Sequence, residues 1–446
     1  MATDAVSPTS GSIPLRDGAV HADQLGTRRL LAVLISGVVL GGRIAIPLGG
    51  SQQVPLVIPF AIGVLLFGVQ RRVLVVSAPR VWIYSITMAI LTALTLCDAA
   101  MGRAVSLLSV VLMLAIYLAT VFRARRFELS DASWLHRFIV RLMTGVAVVT
   151  LIQFAIQFVG VAWTDWLQRV IPARFLLTGY NTGNPIYYGS PIYRPNGVLF
   201  LEPSFVSLFL GVAIVMGFSM RIGVLPVLVM VAALVTTVAG NGFVVVFAGL
   251  AVLAFRQKQR ALPLLLATAA IVVVTLMTPL GHLILSRTTE LSSTGGTTSS
   301  DQRLAAPYQI LVPSFLRSPS TIVFGQGPGA AARIIDSDGR GTGVIAATVP
   351  KLLVEYGIVG AITFLIFAVV VLTPGFRRYT CALGLCINYF VINAGLLQAV
   401  ISLATFILLG LAVPDAPARA LPRRLRQSAP PYRTQSRSGR VAVADS

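Results

Sequence analysis

The chain has 446 residues, of which 56% are hydrophobic and 11% are charged, and its formal net charge is +20. Soluble domains carry about a quarter charged residues, so this composition excludes an ordinary soluble enzyme and indicates a protein solvated by lipid. The basic residues stand in short clusters between apolar runs. That arrangement is typical of membrane orientation signals and not of a nucleic-acid-binding surface, so no nucleic-acid partner is expected.

Apolar runs follow one another along most of the chain, and a spanning helix needs about 20 such residues. The first run has no convincing cleavage site and is interpreted as a retained helix, not a removed signal peptide. Asn393-Ala394-Gly395 lies in the middle of the last run and predicts two shorter helices there. The predicted fold is an all-α, polytopic transmembrane bundle of about twelve helices, at about 30–49, 54–70, 81–98, 103–122, 138–160, 198–220, 222–239, 242–255, 261–284, 350–373 and two within 380–413.

Arginine clusters test this number of helices, because cytoplasmic loops are enriched in Lys and Arg. With twelve spans in the domain 30–413, every cluster falls on one side. Both ends are then cytoplasmic: the polar segment 1–29 and the basic, Pro-rich tail 414–446, which is expected to be disordered. Two long loops, about 161–197 and 285–349, lie on the extracytoplasmic side. The clusters are Arg28-Arg29, Arg71-Arg72, Arg123 to Arg126, Arg256 to Arg260 and Arg377-Arg378.

The two outer loops contain more arginine than orientation requires. Guanidinium groups bind phosphate or carboxylate through two hydrogen bonds, so the set indicates an anionic substrate. For any single arginine, the alternative is a solvated loop charge or an ion pair with Asp165, Asp301, Asp336 or Asp338. The arginines are Arg169, Arg174 and Arg194 in the first loop, and Arg287, Arg303, Arg317, Arg333 and Arg340 in the second.

The stretch from Tyr193 to Phe205 is the most informative part of the sequence. Arg194 stands at the outer membrane boundary, and Glu202 follows about two helical turns later, inside apolar sequence. An acid in a spanning segment is costly and is a functional candidate. Pro203 would bend the entrance of the helix. The alternative is a buried Arg194–Glu202 ion pair with a structural role only.

Other polar residues in apolar runs give weaker signals. Gln153 and Gln157 lie on one face of their helix, and Arg43 is expected to extend from the first span toward the interface. Glu355 follows Lys351 by one turn and is interpreted as its helix-surface partner. The sequence has no phosphate-binding Gly-Lys-Ser/Thr loop, and its three histidines are scattered. No metal site and no cofactor are therefore predicted.

Three motifs carry a resemblance. They are Arg194-Pro195-Asn196-Gly197 with Glu202-Pro203; Asp301-Gln302-Arg303 followed by Phe324-Gly325-Gln326-Gly327-Pro328-Gly329; and Leu352-Leu353-Val354-Glu355-Tyr356-Gly357-Ile358-Val359-Gly360. In this order and topology, over most of the chain, they resemble the O-antigen polymerase and ligase superfamily, in particular Wzy-type polysaccharide polymerases. Ligases of that superfamily usually carry a histidine just before the helix that follows the large loop. The corresponding residues 345–350 contain none, which favours a polymerase.

The resemblance implies transfer of sugars carried on undecaprenyl diphosphate, at the outer side of the cell inner (plasma) membrane. The implied partners are the lipid-linked oligosaccharide, the bilayer, a chain-length co-polymerase and a flippase. Two alternatives stay open at this point: a ligase-type glycan transferase, and a non-enzymatic polysaccharide or lipid transporter. A transporter would place polar residues near mid-membrane on several helices, whereas this chain concentrates its charge in loops.

The resemblance also implies roles for individual residues. Arg303 and Arg194 would stabilise the diphosphate, and Glu202 would serve as the base or orient the acceptor hydroxyl. Further loop side chains would bind the substrate, the arginines through its charge and the tyrosines by stacking on sugar rings. These substrate-binding residues are Arg174, Arg287, Arg169, Tyr193 and Tyr188.

Overall fold

The computed structural model describes residues 15–49, 52–187, 189–256, 305–339 and 344–414, with side chains from residue 24 onward. These parts of the chain are mostly helical, as the sequence predicts. Four helices are long and apolar enough to cross a membrane, and six shorter apolar helices accompany them. This is the pattern of an integral membrane protein. The total of twelve spans stays a prediction, because the span expected at 261–284 lies outside the described residues.

The longer helices follow the predicted apolar runs, and short helices also lie in the two long loops predicted at 161–197 and 285–349. The helices are α1 (Leu15–Leu40), α2 (Val57–Gln70), α3 (Ala78–Ala100), α4 (Leu107–Leu118), α5 (Leu129–Ala155), α6 (Trp166–Val170), α7 (Pro203–Met220), α8 (Val224–Thr236), α9 (Gly240–Arg256), α10 (Ala306–Phe315), α11 (Pro319–Phe324), α12 (Ala330–Ser337), α13 (Thr348–Arg378), α14 (Ala382–Ile387) and α15 (Ala399–Phe406). The strands are β1 (Ala45–Gly49), β2 (Gln52–Pro55), β3 (Leu74–Val76) and β4 (Phe122–Ala124).

The first predicted span has different boundaries in the structure. α1 begins at Leu15, within the polar segment 1–29 and before the predicted start at residue 30, and it ends at Leu40 instead of residue 49. Gly41 and Gly42 are poor helix formers, and Pro47 cannot donate an intrahelical hydrogen bond. The chain turns there into the antiparallel β1–β2 hairpin, and β3 pairs with β4 elsewhere. The helical prediction is confirmed for most of the described residues, and the exceptions are the β1–β2 hairpin and the two-stranded β3–β4 pair.

α5 begins at Leu129, well before the predicted residue 138. Its start is fixed by a reciprocal cap, in which the Glu128 side chain accepts from the Asp131 backbone and Asp131 accepts from the Glu128 N–H. Asp131 is buried and also accepts a hydrogen bond from Arg28 Nε at 2.7 Å. Such caps satisfy the unpaired N–H groups of a helix start, so they define its boundary more sharply than hydropathy does.

The later helices are interrupted at two places, Gly357 and Asn393. α13 is kinked at Gly357, where φ is +64° and ψ is −170°, so the segment before it is separate from the apolar helix after it. The predicted pair of short helices in 380–413 is present. α14 continues as a π-helical turn to Ile392, the chain leaves the helix at Asn393, and α15 begins at Ala399.

Contacts between loops fall into two sets that match the predicted alternation. Each contact of the first set joins loops expected outside, and each contact of the second joins loops expected in the cytoplasm. Which face is cytoplasmic stays a prediction. The first set includes Arg43–Asp165, Arg103 with the Gly325 carbonyl, and Thr348 with the Asn393 carbonyl; the second includes Arg28–Asp131, Arg80 with the Gly410 carbonyl, and Arg256 with the Phe376 carbonyl.

Candidate functional site

The Arg194 motif is held in place by two glutamines of α5. Gln153 donates to Asn196 Oδ1 at 3.0 Å and accepts from the Gly197 N–H at 2.9 Å. Gln157 accepts from the Tyr193 N–H at 2.8 Å and donates to the Tyr193 carbonyl at 3.0 Å. A buried polar network that is fully satisfied fixes one conformation of the segment. The two glutamines, weak signals in the sequence, therefore position the residues on either side of Arg194.

The same segment contains an unusual backbone conformation. Gly197 has φ of +62°, and the next residue, Val198, has φ of +65°. A β-branched residue at positive φ is a rare and strained case, of order 1–3 kcal/mol. The Val198 N–H donates to Asn196 Oδ1 at 3.0 Å, and the Val198 carbonyl accepts from Arg43 at 2.9 Å. Strain that neighbours hold in place in this way is typical of functional segments.

Arg194 and Tyr193 lie at the outer end of this segment. The Arg194 Nε donates to the Pro185 carbonyl at 3.0 Å, and its backbone N–H donates to the Asn184 carbonyl at 2.7 Å. The guanidinium is half-buried. The Tyr193 ring stacks on Trp163, with centroids 5.6 Å apart. One face of Tyr193 is thus covered by Trp163, so only its other face is available for the predicted sugar stacking.

Glu202 lies at the inner end of the segment, directly before α7. It is 6% exposed, has an extended backbone, and accepts a hydrogen bond from the Ser204 hydroxyl at 3.0 Å. The prediction that Glu202 lies within the helix is wrong, because Pro203 occupies the first helical position and residues before it are non-helical. The alternative of a structural Arg194–Glu202 ion pair stays a prediction.

Arg43 was predicted to extend toward the membrane interface, but its side chain is buried in the structure. It is 3% exposed, and its two terminal nitrogens contact both carboxylate oxygens of Asp165, with Nη1–Oδ1 at 2.9 Å. Asp165 also caps α6. Burial alone would raise the pKa of Asp165, but the Arg43 guanidinium holds that pKa below its usual value. Of the loop acids expected to pair with outer arginines, Asp165 therefore pairs with Arg43.

Two other arginines predicted to bind substrate lie elsewhere in the same loop. Arg169 and Arg174 are exposed and sit over the rings of Trp166 and Phe175, at 5.2 and 4.8 Å from the ring centres. Three predicted site residues lie outside the described residues, and their positions stay predictions. These are Arg303, Arg287 and Tyr188.

The second and third motifs meet in the structure. The Gln326 N–H donates to the Val354 carbonyl at 2.8 Å, and the Gly327 N–H donates to the Glu355 carbonyl at 3.0 Å. A Cβ at Gly325 would lie 2.6 Å from the Glu355 carbonyl oxygen, and a Cβ at Gly357 would lie 2.3 Å from a backbone oxygen of the facing segment. Only glycine permits this approach, so the two glycine-containing motifs fold as one unit.

Glu355 is the centre of this unit. It is 1% exposed and accepts from Lys351 Nζ at 2.8 Å and from the Gly329 N–H at 2.9 Å. The predicted pairing of Glu355 with Lys351 is confirmed, although the pair is buried and not on a helix surface. The second oxygen of Glu355 is buried and has no hydrogen-bond partner among the described residues. A buried unpaired carboxylate oxygen is rare and costly.

Asp98, at the end of α3, was not predicted as a site residue. It is buried, accepts from Arg103 Nη1 at 2.6 Å, and has one buried oxygen without a partner. Arg103 also donates to the Gly325 carbonyl at 2.9 Å, and the Ser106 N–H donates to the Pro328 carbonyl at 2.8 Å. In the sequence, the signal that could have identified Asp98 is an acidic residue at the end of an apolar run, five residues before Arg103.

The described residues include buried carboxylates that can accept a proton, on Glu202, Glu355 and Asp98, and the half-buried Arg194, whose guanidinium group can bind an anion. Within the described ranges, no group of three or more His, Cys, Asp or Glu side chains could hold a metal ion. No protein-family model matches the sequence, and no curated protein matches it.

Proposed function

We propose that this chain is a membrane glycosyltransferase that polymerises undecaprenyl-diphosphate-linked oligosaccharide units at the outer face of the inner membrane. The observation that carries the proposal is the contact between the second and third motifs, in which the loop around Gly327 docks on Glu355 and on the kink at Gly357. The described part of the second motif, 324–329, and the third motif thus form one structural unit, and the first motif, with the strained segment between Arg194 and Glu202, lies in another loop.

The proposed reaction needs a charge-stabilising group and a base. The acceptor hydroxyl oxygen attacks the anomeric carbon of the donor chain, and the bond from that carbon to the diphosphate oxygen breaks. Undecaprenyl diphosphate leaves with the electron pair, and Arg303 and Arg194 stabilise its charge. The hydroxyl proton passes to Glu202, which is buried at the entrance of α7 and hydrogen-bonded to Ser204. The diphosphate is a good leaving group, so orientation supplies much of the rate.

The membrane setting is part of the proposal. A donor and an acceptor that both carry a polyprenyl chain stay in the bilayer, so an enzyme for them needs a membrane-embedded body with its polar site at the surface. A flippase would supply the lipid-linked unit from the cytoplasm, and a chain-length co-polymerase would act on the same chain. The ligase and transporter alternatives predict different intermediates in cells, which provides a test.

Deletion of the gene distinguishes these three functions. Loss of a polymerase should leave single repeat units on undecaprenyl diphosphate, accessible at the outer face. Loss of a ligase should leave full-length polymer on the same lipid, and loss of a flippase should leave single units on the cytoplasmic side. The measurement is mass spectrometry of extracted lipid-linked sugars, with lectin labelling of intact spheroplasts for sidedness. Complementation by the wild-type chain but not by Glu202→Gln, at equal protein level, would support the assigned site.

A further inference from the structure

The first outer loop carries an exposed surface that the proposed reaction does not use. Trp166, Arg169 and Val170 share one face of α6, because residues three and four apart on a helix are neighbours. Val170 is 80% exposed and Trp166 is 39% exposed. A short distance along the chain, Phe175 is also exposed and has Arg174 over its ring. We call these five residues the interfacial patch.

The patch is held at the level where the bilayer ends. Its two flanks are tied to the residues just after α1, through the Arg43–Asp165 ion pair and through a backbone hydrogen bond of 2.8 Å from the Leu177 N–H to the Arg43 carbonyl. A bridge between Ile44 and Leu176 adds a third connection. Since α1, the first predicted span, ends at Leu40, the patch is tied to residues only a few positions beyond the end of that span.

The length of α2 indicates the same position of the patch relative to the bilayer surface. Its 14 residues span about 21 Å at 1.5 Å per residue, which is less than the hydrocarbon thickness of about 30 Å. Open sheet edges do not occur within the hydrocarbon region, so the two-stranded β1–β2 hairpin before α2 is expected at the headgroup level. Its exposed side chains agree, because Ile46 and Leu48 point away from the protein core. The patch packs beside this hairpin and so reaches the headgroup region.

The charges of the patch lack acidic partners. Among the described residues, no acid pairs with Arg169 or Arg174. The polar contact of Arg169 is the Thr164 hydroxyl at 3.0 Å, and the nearby Asp165 is occupied by Arg43. Both guanidinium groups instead lie over aromatic rings. Aromatic side chains with adjacent arginines at a membrane boundary are the arrangement that binds lipid phosphates.

We infer that the interfacial patch binds the headgroup of an anionic phospholipid in the leaflet next to the outer loops. The exposed apolar side chains enter the acyl boundary, and Arg169 and Arg174 bind the phosphate. A bilayer lipid is favoured over the lipid diphosphate of the proposed reaction because Arg169 and Arg174 are exposed, whereas Arg194 is half-buried and Glu202 is buried. The inference does not depend on the proposed function. It replaces the substrate-binding role that the sequence suggested for these two arginines.

Fluorescence of Trp166 tests the inference at the site itself. The full chain is placed in phosphatidylcholine nanodiscs that contain a small fraction of brominated phosphatidylglycerol or brominated phosphatidylcholine. The signal of Trp166 is the difference between the wild-type protein and Trp166→Phe. Because each basic residue near an anionic surface adds about fivefold in affinity, the two arginines should enrich the anionic lipid about 30-fold over the neutral one. Trp166 should then be quenched much more strongly by the brominated phosphatidylglycerol.

Matched variants distinguish lipid binding by the interfacial patch from a general effect of positive charge on the protein. Arg169→Gln/Arg174→Gln should abolish the preference, and Arg169→Lys/Arg174→Lys should keep most of it. Arg317→Gln/Arg333→Gln, which removes two exposed arginines of the second outer loop, should leave it unchanged. Elution as a single species confirms that each variant is folded. Equal quenching of wild-type Trp166 by the two lipids, or none by either, would overturn the inference. So would displacement by undecaprenyl diphosphate but not by excess unbrominated phosphatidylglycerol.

Discussion

Replacing Asp165 by Asn would leave the Arg43 guanidinium in a buried site without its counter-ion. In the structure the side chains of Arg43 and Asp165 are 3% and 9% exposed, and two pairs of atoms join them. Arg43 would keep neutral acceptors, the Val198 carbonyl and the remaining amide oxygen at position 165, but no charged partner there. Removing one partner of a buried ion pair typically costs about 3–5 kcal/mol, because the remaining charge is uncompensated. We expect Asp165→Asn to lower the free energy of unfolding by that amount.

A double variant that removes both charged groups separates the effect of the unpaired charge from other effects of the substitution. Arg43→Met/Asp165→Leu removes both ions and keeps apolar volume, so it should be more stable than Asp165→Asn, because no buried charge remains. Arg169→Gln is the control, since this arginine is exposed and a surface change should stay within about 0.5 kcal/mol. Unfolding free energies would be measured in nanodiscs by steric trapping. A cost below about 1 kcal/mol for Asp165→Asn, or a double variant no better than the single one, would refute the reasoning.

The same pair predicts a direction for the pH dependence. The folded pKa of Asp165 lies below its unfolded value, because Arg43 favours the carboxylate. The contribution of the pair is therefore complete above the ordinary carboxyl pKa of about 4 and is lost as the pH falls through the lower folded pKa. The stability difference between the wild-type protein and Asp165→Asn should be constant above about pH 5 and shrink on further acidification.

Two more predictions follow from the backbone and from the outer loops. Gly357→Ala should destabilise the protein by more than Gly102→Ala. Both substitutions add strain of about 1–3 kcal/mol at positive φ, but only the first places a Cβ against backbone atoms. The unfolding temperature of Gly357→Ala should therefore be the lower of the two. In a cysteine-free background, Gln168→Cys and Ser320→Cys should react with an impermeant reagent in intact spheroplasts, while Arg126→Cys should stay protected. Protection of either outer position would contradict the predicted sidedness.

Hydropathy predicted where the helices lie, but not where they begin and end. The break at Asn393 was found because Asn and Gly interrupt an apolar run that is too long for one span. The start of α5 was missed, because the capping interactions of Glu128 with Asp131 depend on side-chain geometry that a hydropathy average removes. The β1–β2 hairpin was missed because Ile46 and Leu48 continue the apolar run while the backbone has already left the helix.

The candidate site shows the same division. Glu202 was selected correctly as a buried acid, since a charge next to apolar sequence is visible in the sequence alone. Its place before α7, and not within it, follows from Pro203 at the first helical position, a signal that a hydropathy average removes. Gln153 and Asp98 gain their importance from residues far away in the chain, with which they form hydrogen bonds or close contacts only after folding.

The most direct test of the proposed function is polymerisation by the purified protein. Lipid-linked units extracted from the deletion strain would be added to the chain in vesicles, and the products separated by length on a gel. The wild-type protein and Arg317→Ala, the control for an exposed outer arginine, should produce a ladder of longer glycans. Arg303→Ala, Arg194→Ala and Glu202→Gln should not, at equal amounts of folded protein. A full ladder from Arg303→Ala, or none from folded wild-type protein, would contradict the account.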